Sequence, residues 1–268
     1  MNNEVLTSTH ANRRSFLKTA GLTSFAAVAG AALIGTEFAG QPAEAQSYND
    51  ADILNFALNL EYLEAEFYAV ATYGANLVQL GVLTSADQTG PTTGGHVVPG
   101  FASRPEAYVA TALRIDEIDH VRLLRGALGS GAVKKPAINL NALGFGFGNI
   151  QEFLKLARAF EDTGVSAYLG AAPLITSKAY LATAGAILAT EAQHAGIIRM
   201  LMITEGIISP ATDGKDVPPT PSTPFDVDNN ALSIPRTAAE VLNIVYAGGT
   251  CSGGFFPEGM NGNIVCRS

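Results

Sequence analysis

The sequence predicts an all-α protein in which a four-helix bundle is followed by an irregular C-terminal extension. Four long segments carry apolar residues at helical spacing and are bounded by residues that start and stop helices. After Gly206 the composition becomes rich in proline and glycine, which continue helices poorly. Two of the four segments also contain a Glu-x-x-His motif, which places an acid and an imidazole one turn apart on the same helix face.

Residues 1–45 are predicted to be an export signal. Residues 12–18, with Arg13 and Arg14 near their start, resemble the twin-arginine signal, and an apolar run over about residues 20–34 is followed by Ala43-Glu44-Ala45 as a cleavage site. The run is too short to span a bilayer comfortably, which favours a signal peptide over a stable N-terminal anchor. The mature protein would begin near Gln46 and would be periplasmic or secreted, without stable membrane insertion.

The charge balance is acidic. The chain has 16 Lys and Arg against 24 Asp and Glu, a formal net charge of −8, and the predicted signal removes three residues of each sign. No basic patch interleaved with aromatic residues is present, so nucleic acid is not an expected partner.

The bundle is assigned to residues 46–206. The predicted helices cover about residues 50–80, 104–128, 150–169 and 177–205. Ser47 and Asp50 are a possible capping pair for the first helix, and Ser103, Pro105 and Glu106 form a predicted capping box with an early proline for the second. The third and fourth helices are joined by a short link, which predicts that they are neighbours.

The connections and the extension have their own signals. The Gly- and Thr-rich loop over residues 81–102 is long for a loop without structure, which is typical of functional or mobile segments. Residues 207–268 form the extension, in which five prolines between Pro210 and Pro224 indicate an extended strap. Thr237 and Glu240 form a capping box that opens a short helix to about Tyr246. Strands are weakly indicated at best.

The two cysteines, Cys251 and Cys266, both lie near the C-terminus. An even number of cysteines in an exported chain favours a disulfide, which would close the tail. Metal binding by this pair is less favoured, because the spacing is not that of a zinc site and no histidine lies nearby.

Acidic residues on the first and third helices fall among apolar ones. Glu61, Glu64 and Tyr68 share one stripe of the first helix, and Glu161 lies among apolar residues of the third. Burying a carboxylate is costly unless it is paired or bound to metal. Other acids are predicted to be at the surface: Glu66 as a solvated side chain, Asp162 in a pair with Arg158, and Asp116 and Asp119 beside the second-helix motif.

A single Glu-x-x-His motif is more often a surface ion pair than half of a metal site. Outside the signal, however, the chain has only three histidines, and two of them follow a glutamate by three residues. The combination predicts a two-metal carboxylate site of the kind built in four-helix bundles. Its predicted ligands are Glu61, Glu117, His120, Glu161, Glu191 and His194. The mixed oxygen and nitrogen donors suit two Fe or Mn ions better than structural zinc, and the third histidine, His96, is predicted to be solvated.

The order Glu, Glu-x-x-His, Glu, Glu-x-x-His resembles the ferritin-like superfamily, which includes ferritins, bacterioferritins, rubrerythrins and manganese catalases. Helix-one ligands of that group often have a tyrosine seven residues on; Glu61 and Tyr68 match this spacing, which favours Glu61 over Glu64. Residues 58–68 and the tail sequence Phe-Phe-Pro-Glu-Gly at 255–259 are more specifically similar to exported ferritin-like domain or desiccation-related proteins. Glu64, Tyr68 and Tyr168 are candidates for supporting the ligands, and the two tyrosines are equally compatible with a core role.

The resemblance implies three functional hypotheses, and no catalytic residue is assigned. The first is an exported di-iron or di-manganese oxidoreductase of ferroxidase, peroxidase or catalase type, acting on O₂, peroxide or Fe(II). The second is a non-enzymatic structural or desiccation-protection protein with a structural or vestigial metal site. The third is metal sequestration without turnover. Homo-oligomers are common in the superfamily, whereas the 81–102 loop and the long tail are foreign to cage ferritins.

Overall fold

The computed structural model describes residues 48–101 and 104–267, and the predicted export signal lies outside them. The all-α fold class is confirmed. The described residues form five α-helices: α1 Asp50–Tyr73, α2 Glu106–Leu128, α3 Ile150–Ala171, α4 Lys178–Thr204 and α5 Ala238–Val245. They also form a two-residue parallel pair of strands, β1 Thr92–Thr93 and β2 Ile138–Asn139. None of the described helices is both long and apolar enough to cross a membrane.

Helix α1 is shorter than predicted because Gly74 ends it. Gly74 adopts a left-handed conformation with φ of +75° and donates its N–H to the Val70 carbonyl, which is a common way to terminate a helix. At the other end, Asn49 and Asp52 form a reciprocal capping box. The predicted use of Asp50 as a cap is therefore wrong, since its carboxylate accepts hydrogen bonds from the start of the α4 segment.

Helix α1 is the central element of the core. Every residue from Ile53 to Ala71 is buried, so the helix has no solvent face along that stretch. It packs against α2, while α3 packs against α4 across their short connection, as predicted. The two pairs form the bundle, and α5 packs against α3. A helix buried on all sides gives no amphipathic pattern, which limits what helical periodicity can say about its polar residues.

The loop after α1 is held against the α2–α3 connection. Strand β1 pairs with β2, and Lys135 Nζ donates to the Gly90 carbonyl and to Thr92 Oγ1 at 3.1 and 3.0 Å. The same ammonium lies 3.7 Å from the Glu66 carboxylate, and both side chains are fully buried. The prediction that Glu66 is solvated is therefore wrong, because a lysine remote in sequence compensates its burial.

Helix α2 begins at Glu106, directly after Pro105. The Glu106 carboxylate pairs with the Arg104 guanidinium at 3.1 Å. Ser103, the predicted capping partner of Glu106, lies outside the described residues. No side-chain hydrogen bond from Pro105 caps the helix.

The extension is fastened to α3 and α4 by a buried ionic network. Arg158 on α3 binds both carboxylate oxygens of Asp216 at 2.7 and 2.6 Å, and Arg199 on α4 binds Asp162 at 2.7 Å. Asp162 is 5% exposed and Arg158 is fully buried. The predicted surface pair of these two residues is thus wrong: it lies in the interior because the strap covers it.

The end of the extension follows the prediction closely. Thr237 and Glu240 form the capping box of α5, and Cys251 and Cys266 form a disulfide. The cysteines are 15 positions apart, a loop length for which a disulfide contributes about 3 kcal/mol by restricting the unfolded chain. The disulfide therefore stabilises a tail that has little regular structure of its own.

Candidate metal centre

All six predicted ligands meet in the interior of the bundle. Helices α1 and α3 each contribute one glutamate, and α2 and α4 each contribute a glutamate and a histidine. Their exposed fractions run from 0% for the four glutamates to 8% for the more exposed histidine. The six residues are Glu61, Glu117, His120, Glu161, Glu191 and His194.

The imidazoles define two neighbouring positions. His120 Nδ1 lies 3.2 Å from Glu61 Oε2, 3.3 Å from Glu117 Oε2 and 3.2 Å from Glu191 Oε1. These four residues form one group whose donor atoms all lie within 4.8 Å of one another.

The second position is built around the other imidazole. His194 Nδ1 lies 2.9 Å from Glu117 Oε1, 3.4 Å from Glu161 Oε2 and 3.9 Å from Glu191 Oε1. These four residues also keep their donor atoms within 4.8 Å of one another. Glu117 and Glu191 belong to both groups, whereas Glu61 and Glu161 each belong to one. Each group could hold one cation, and the two groups share two carboxylates.

Two tyrosines hold the unshared carboxylates in place. Tyr68 on α1 donates its hydroxyl to Glu161 Oε1 on α3, and Tyr168 on α3 donates to Glu61 Oε1 on α1, both at 2.5 Å. Burial and the neighbouring carboxylates raise the pKa of both phenols well above the usual range, so both remain protonated donors. Each hydrogen bond leaves the other carboxylate oxygen facing a histidine.

Asp116 supports the second histidine from the other side of its ring. Its Oδ2 lies 3.2 Å from His194 Nε2, although the Asp116 side chain is 48% exposed. The sequence assigned Asp116 only to the surface and missed this contact. A carboxylate on the second ring nitrogen fixes the orientation of a ligating histidine, and it leaves Nδ1 directed at the glutamates.

The electrostatics of the cluster reflect an excess of negative charge. Burial raises the pKa of Glu117 to about 7 and that of Glu191 well above its usual range, and neighbouring carboxylates contribute to both shifts. Burial by itself would lower the pKa of His194, but the close carboxylates of Glu117 and Glu161 outweigh it and raise the value to about 11. The pKa of His120 is raised in the same way. The cluster therefore favours positive charge, from protons or from cations.

Unpaired buried atoms show that the donors fit metal ions. Within the described residues, six atoms of the cluster are buried and have no hydrogen-bond partner. Two of these six atoms, His194 Nδ1 and Glu117 Oε1, lie close to each other. Leaving such an atom unsatisfied costs about 1–3 kcal/mol, and more when it is charged. The atoms are Glu61 Oε2, Glu117 Oε1, Glu161 Oε2, Glu191 Oε1, Glu191 Oε2 and His194 Nδ1. Two cations would satisfy them together, and carboxylate with imidazole suits Fe or Mn.

Comparison with known proteins gives the family. Residues 49–204, more than half of the chain, match the family model described as a ferritin-like domain. The chain belongs to the ferritin-like domain family. The resemblance drawn from the Glu-x-x-His motifs is thereby confirmed, and the matched residues cover helices α1 to α4.

Two curated relatives match different shares of the chain. The chain is 24% identical over 271 aligned residues to "Ferritin-like catalase Nec2" of Nesocodon mauritianus, which covers 81% of this chain and 85% of the relative. It is 26% identical over 171 residues to "Desiccation-related protein PCC13-62" of Craterostigma plantagineum, which covers 58% of this chain and 53% of that protein. Both names agree with the similarity to ferritin-like and desiccation-related proteins predicted from the sequence.

The tyrosines of this ferritin-like bundle also follow a spacing that could have been found in the sequence. Tyr68 follows Glu61 by seven residues and Tyr168 follows Glu161 by seven, so the first and third helices repeat one pattern. This repeat identifies both tyrosines as partners of the two unshared glutamates. The predicted ligand assignment rested on the spacing of the first helix alone.

Replacement of Tyr168 by Phe is expected to weaken metal binding. The substitution leaves the buried Glu61 Oε1 without its hydroxyl donor, and loss of such a supporting hydrogen bond typically lowers metal affinity by about 10–100-fold. Titration of metal against a competing chelator measures the change. Tyr62→Phe is the matched control, because Tyr62 is also buried on α1 but its hydroxyl donates to the Val133 carbonyl and accepts from Arg125, outside the cluster. Equal affinity of Tyr168→Phe and the wild type would contradict the supporting role.

Proposed function

We propose that the mature protein binds two Fe or Mn ions at the six-residue centre and uses them for redox chemistry on a small oxygen species. The observation that carries this proposal is the sharing of Glu117 and Glu191 by both groups of donors. A structural site for a single ion needs no shared carboxylates, whereas a pair of ions needs ligands that hold it together. The unpaired buried oxygens of the cluster support the same conclusion.

A bound pair of such ions would supply Lewis acidity and a change of oxidation state. The protein residues would position the ions and select the molecules that reach them. Glu117 and Glu191 would hold both ions, whereas Tyr68 and Tyr168 orient Glu161 and Glu61, each of which would hold one ion. Burial of all the donors excludes bulk solvent, so only small molecules reach the centre.

Hydrogen peroxide is the substrate we favour. The relative from Nesocodon mauritianus is named a catalase, and the alignment covers most of both chains. Disproportionation of two peroxide molecules to two water molecules and one O₂ needs no further reductant, which suits a protein outside the cytoplasm. The twin-arginine resemblance of residues 12–18 and the Cys251–Cys266 disulfide support an exported, oxidising location.

A second candidate function is favoured by the similarity to the Craterostigma plantagineum protein, whose name is desiccation-related. In that case the metal centre would stabilise a protective protein or store metal, without turnover. The acidic surface expected from a net charge of −8 and the long extension are compatible with this function.

The deciding experiment combines metal content with peroxide consumption. Protein exported by its native route is analysed by elemental mass spectrometry and then mixed with hydrogen peroxide while O₂ release is recorded. We expect about two Fe or Mn per chain and O₂ equal to half of the peroxide consumed. Glu258→Gln, which changes an exposed carboxylate of the tail, is the control and should behave like the wild type. Two bound ions without peroxide consumption would favour storage or protection, and folded protein without metal would exclude the redox proposal.

A further inference from the structure

The repeat between α1 and α3 is broken at one position inside the centre. Glu61 and Tyr68 on α1 correspond to Glu161 and Tyr168 on α3. Three residues after the first glutamate α1 carries Glu64, whereas three residues after the second α3 carries Gly164. The six-residue cluster has four carboxylates in a nearly symmetric arrangement. The carboxylate of Glu64 is a fifth, which α1 has and α3 lacks.

Gly164 provides the space that this fifth carboxylate uses. A Cβ atom built on Gly164 would stand 3.3 Å from Glu64 Oε1 and 2.8 Å from Glu191 Oε2. The second of these contacts is closer than real side chains allow. Any larger residue at position 164 would therefore displace the shared glutamate and crowd Glu64. The glycine brings both carboxylates to one spot on the surface of α3.

Glu64 has no partner that explains its burial. Its exposed fraction is 4%, and no hydrogen bond or ion pair joins its carboxylate to any other described residue. Burial and the charges of Glu191 and Glu117 raise its pKa well above the usual range. Such a group is costly to keep in the interior unless a cation or a proton compensates it. Glu191 Oε2, on the same side of the centre, is also without a partner.

A small cavity lies beside Glu64. It has a volume of about 10 Å³ and is lined by Glu64, Gly164 and Thr163 together with apolar side chains such as Phe160. That volume is enough for about one water molecule. Glu64 thus lies between the cluster and a space of the size of a small oxygen species.

We propose that Glu64 is a fifth carboxylate of the metal centre, which binds one of the two ions beside Glu191 and makes the two positions unequal. This inference rests on the two-metal function proposed above. The four glutamates already assigned balance the charge of two divalent ions. A fifth carboxylate adds a negative charge on one side only, so it strengthens binding of one ion and favours a pair of higher total charge.

Titration of Mn²⁺ into metal-free protein, wild type and Glu64→Gln, tests the inference. Glutamine keeps the shape of the side chain and removes its charge, so the fold should be retained, which circular dichroism checks. We expect one of the two Mn²⁺ affinities to fall by about tenfold or more while the other stays within about twofold. A merely structural glutamate would leave both affinities unchanged, and that result would overturn the inference while two ions bound by the wild type kept the proposed function intact. Failure of the wild type to bind Mn²⁺ or Fe²⁺ would overturn both.

The electron paramagnetic resonance spectrum of bound Mn²⁺ reports the inequality of the positions independently of activity. If this spectrum is the same in Glu64→Gln and in the wild type, with two ions bound in each, the assignment of Glu64 as a metal carboxylate is wrong.

Discussion

Replacement of Glu117 by Gln is expected to remove both metal ions, whereas replacement of Glu61 by Gln is expected to remove only one. Glu117 contributes a donor to each of the two groups, through Oε2 near His120 and Oε1 near His194. Glu61 contributes to the first group alone. Loss of the shared ligand therefore leaves neither position complete, and redox activity should fall by about 10³-fold or more, to background.

Elemental mass spectrometry of the two variants, purified in parallel, measures the difference. The wild type should hold about two ions per chain, Glu61→Gln about one and Glu117→Gln close to none. The variants remove the same charge from side chains that are equally buried, so burial alone predicts no difference between them. Equal metal loss in both would show that the carboxylates act as a common pool of negative charge, and would contradict the assignment of a shared ligand.

The sequence predicts that these six side chains converge because the information for it is local. A glutamate and a histidine three residues apart must share a helix face, and Glu117 with His120 shows that relation in the structure. The same holds for the tyrosines, since a spacing of seven residues returns to the same face after two turns. Helix ends are also local: Gly206 closes α4 near the predicted position, whereas the early stop at Gly74 and the cap at Asn49 were missed.

The errors concern residues whose partners are remote in sequence. Glu66 was expected to be solvated, but Lys135 reaches it from a loop after the next helix. Asp162 was expected at the surface, but Arg199 and the strap enclose it. Helical periodicity assumes that one face of a helix meets solvent, and α1 has no such face. Charge pairs of this kind become visible only when the tertiary packing is known.

Those same buried charges make Arg158 the residue at which a single substitution should destabilise the fold most. Arg158 is fully buried on α3, and its guanidinium binds Asp216, Ser209 Oγ and the Pro210 carbonyl of the strap. Arg158→Met retains much of the apolar volume but leaves Asp216 as an unpaired charge in the interior. Removal of one partner from a buried ion pair costs about 3–5 kcal/mol, because the remaining charge keeps its full desolvation penalty. We expect the thermal midpoint to fall by about 10 °C.

The matched control is Arg122→Met, since Arg122 forms an ion pair with Asp119 in which both side chains are more than half exposed. That substitution should change the free energy of unfolding by less than about 1 kcal/mol. Chemical denaturation of both variants, with metal removed, measures the contribution of the strap to the free energy of unfolding without any contribution from bound metal. A loss below about 1 kcal/mol in Arg158→Met would mean that the strap contributes little to the stability of the bundle. The large loss expected instead would mean that the extension is part of the folded core, and that the scaffold around the metal centre depends on residues outside the four-helix bundle.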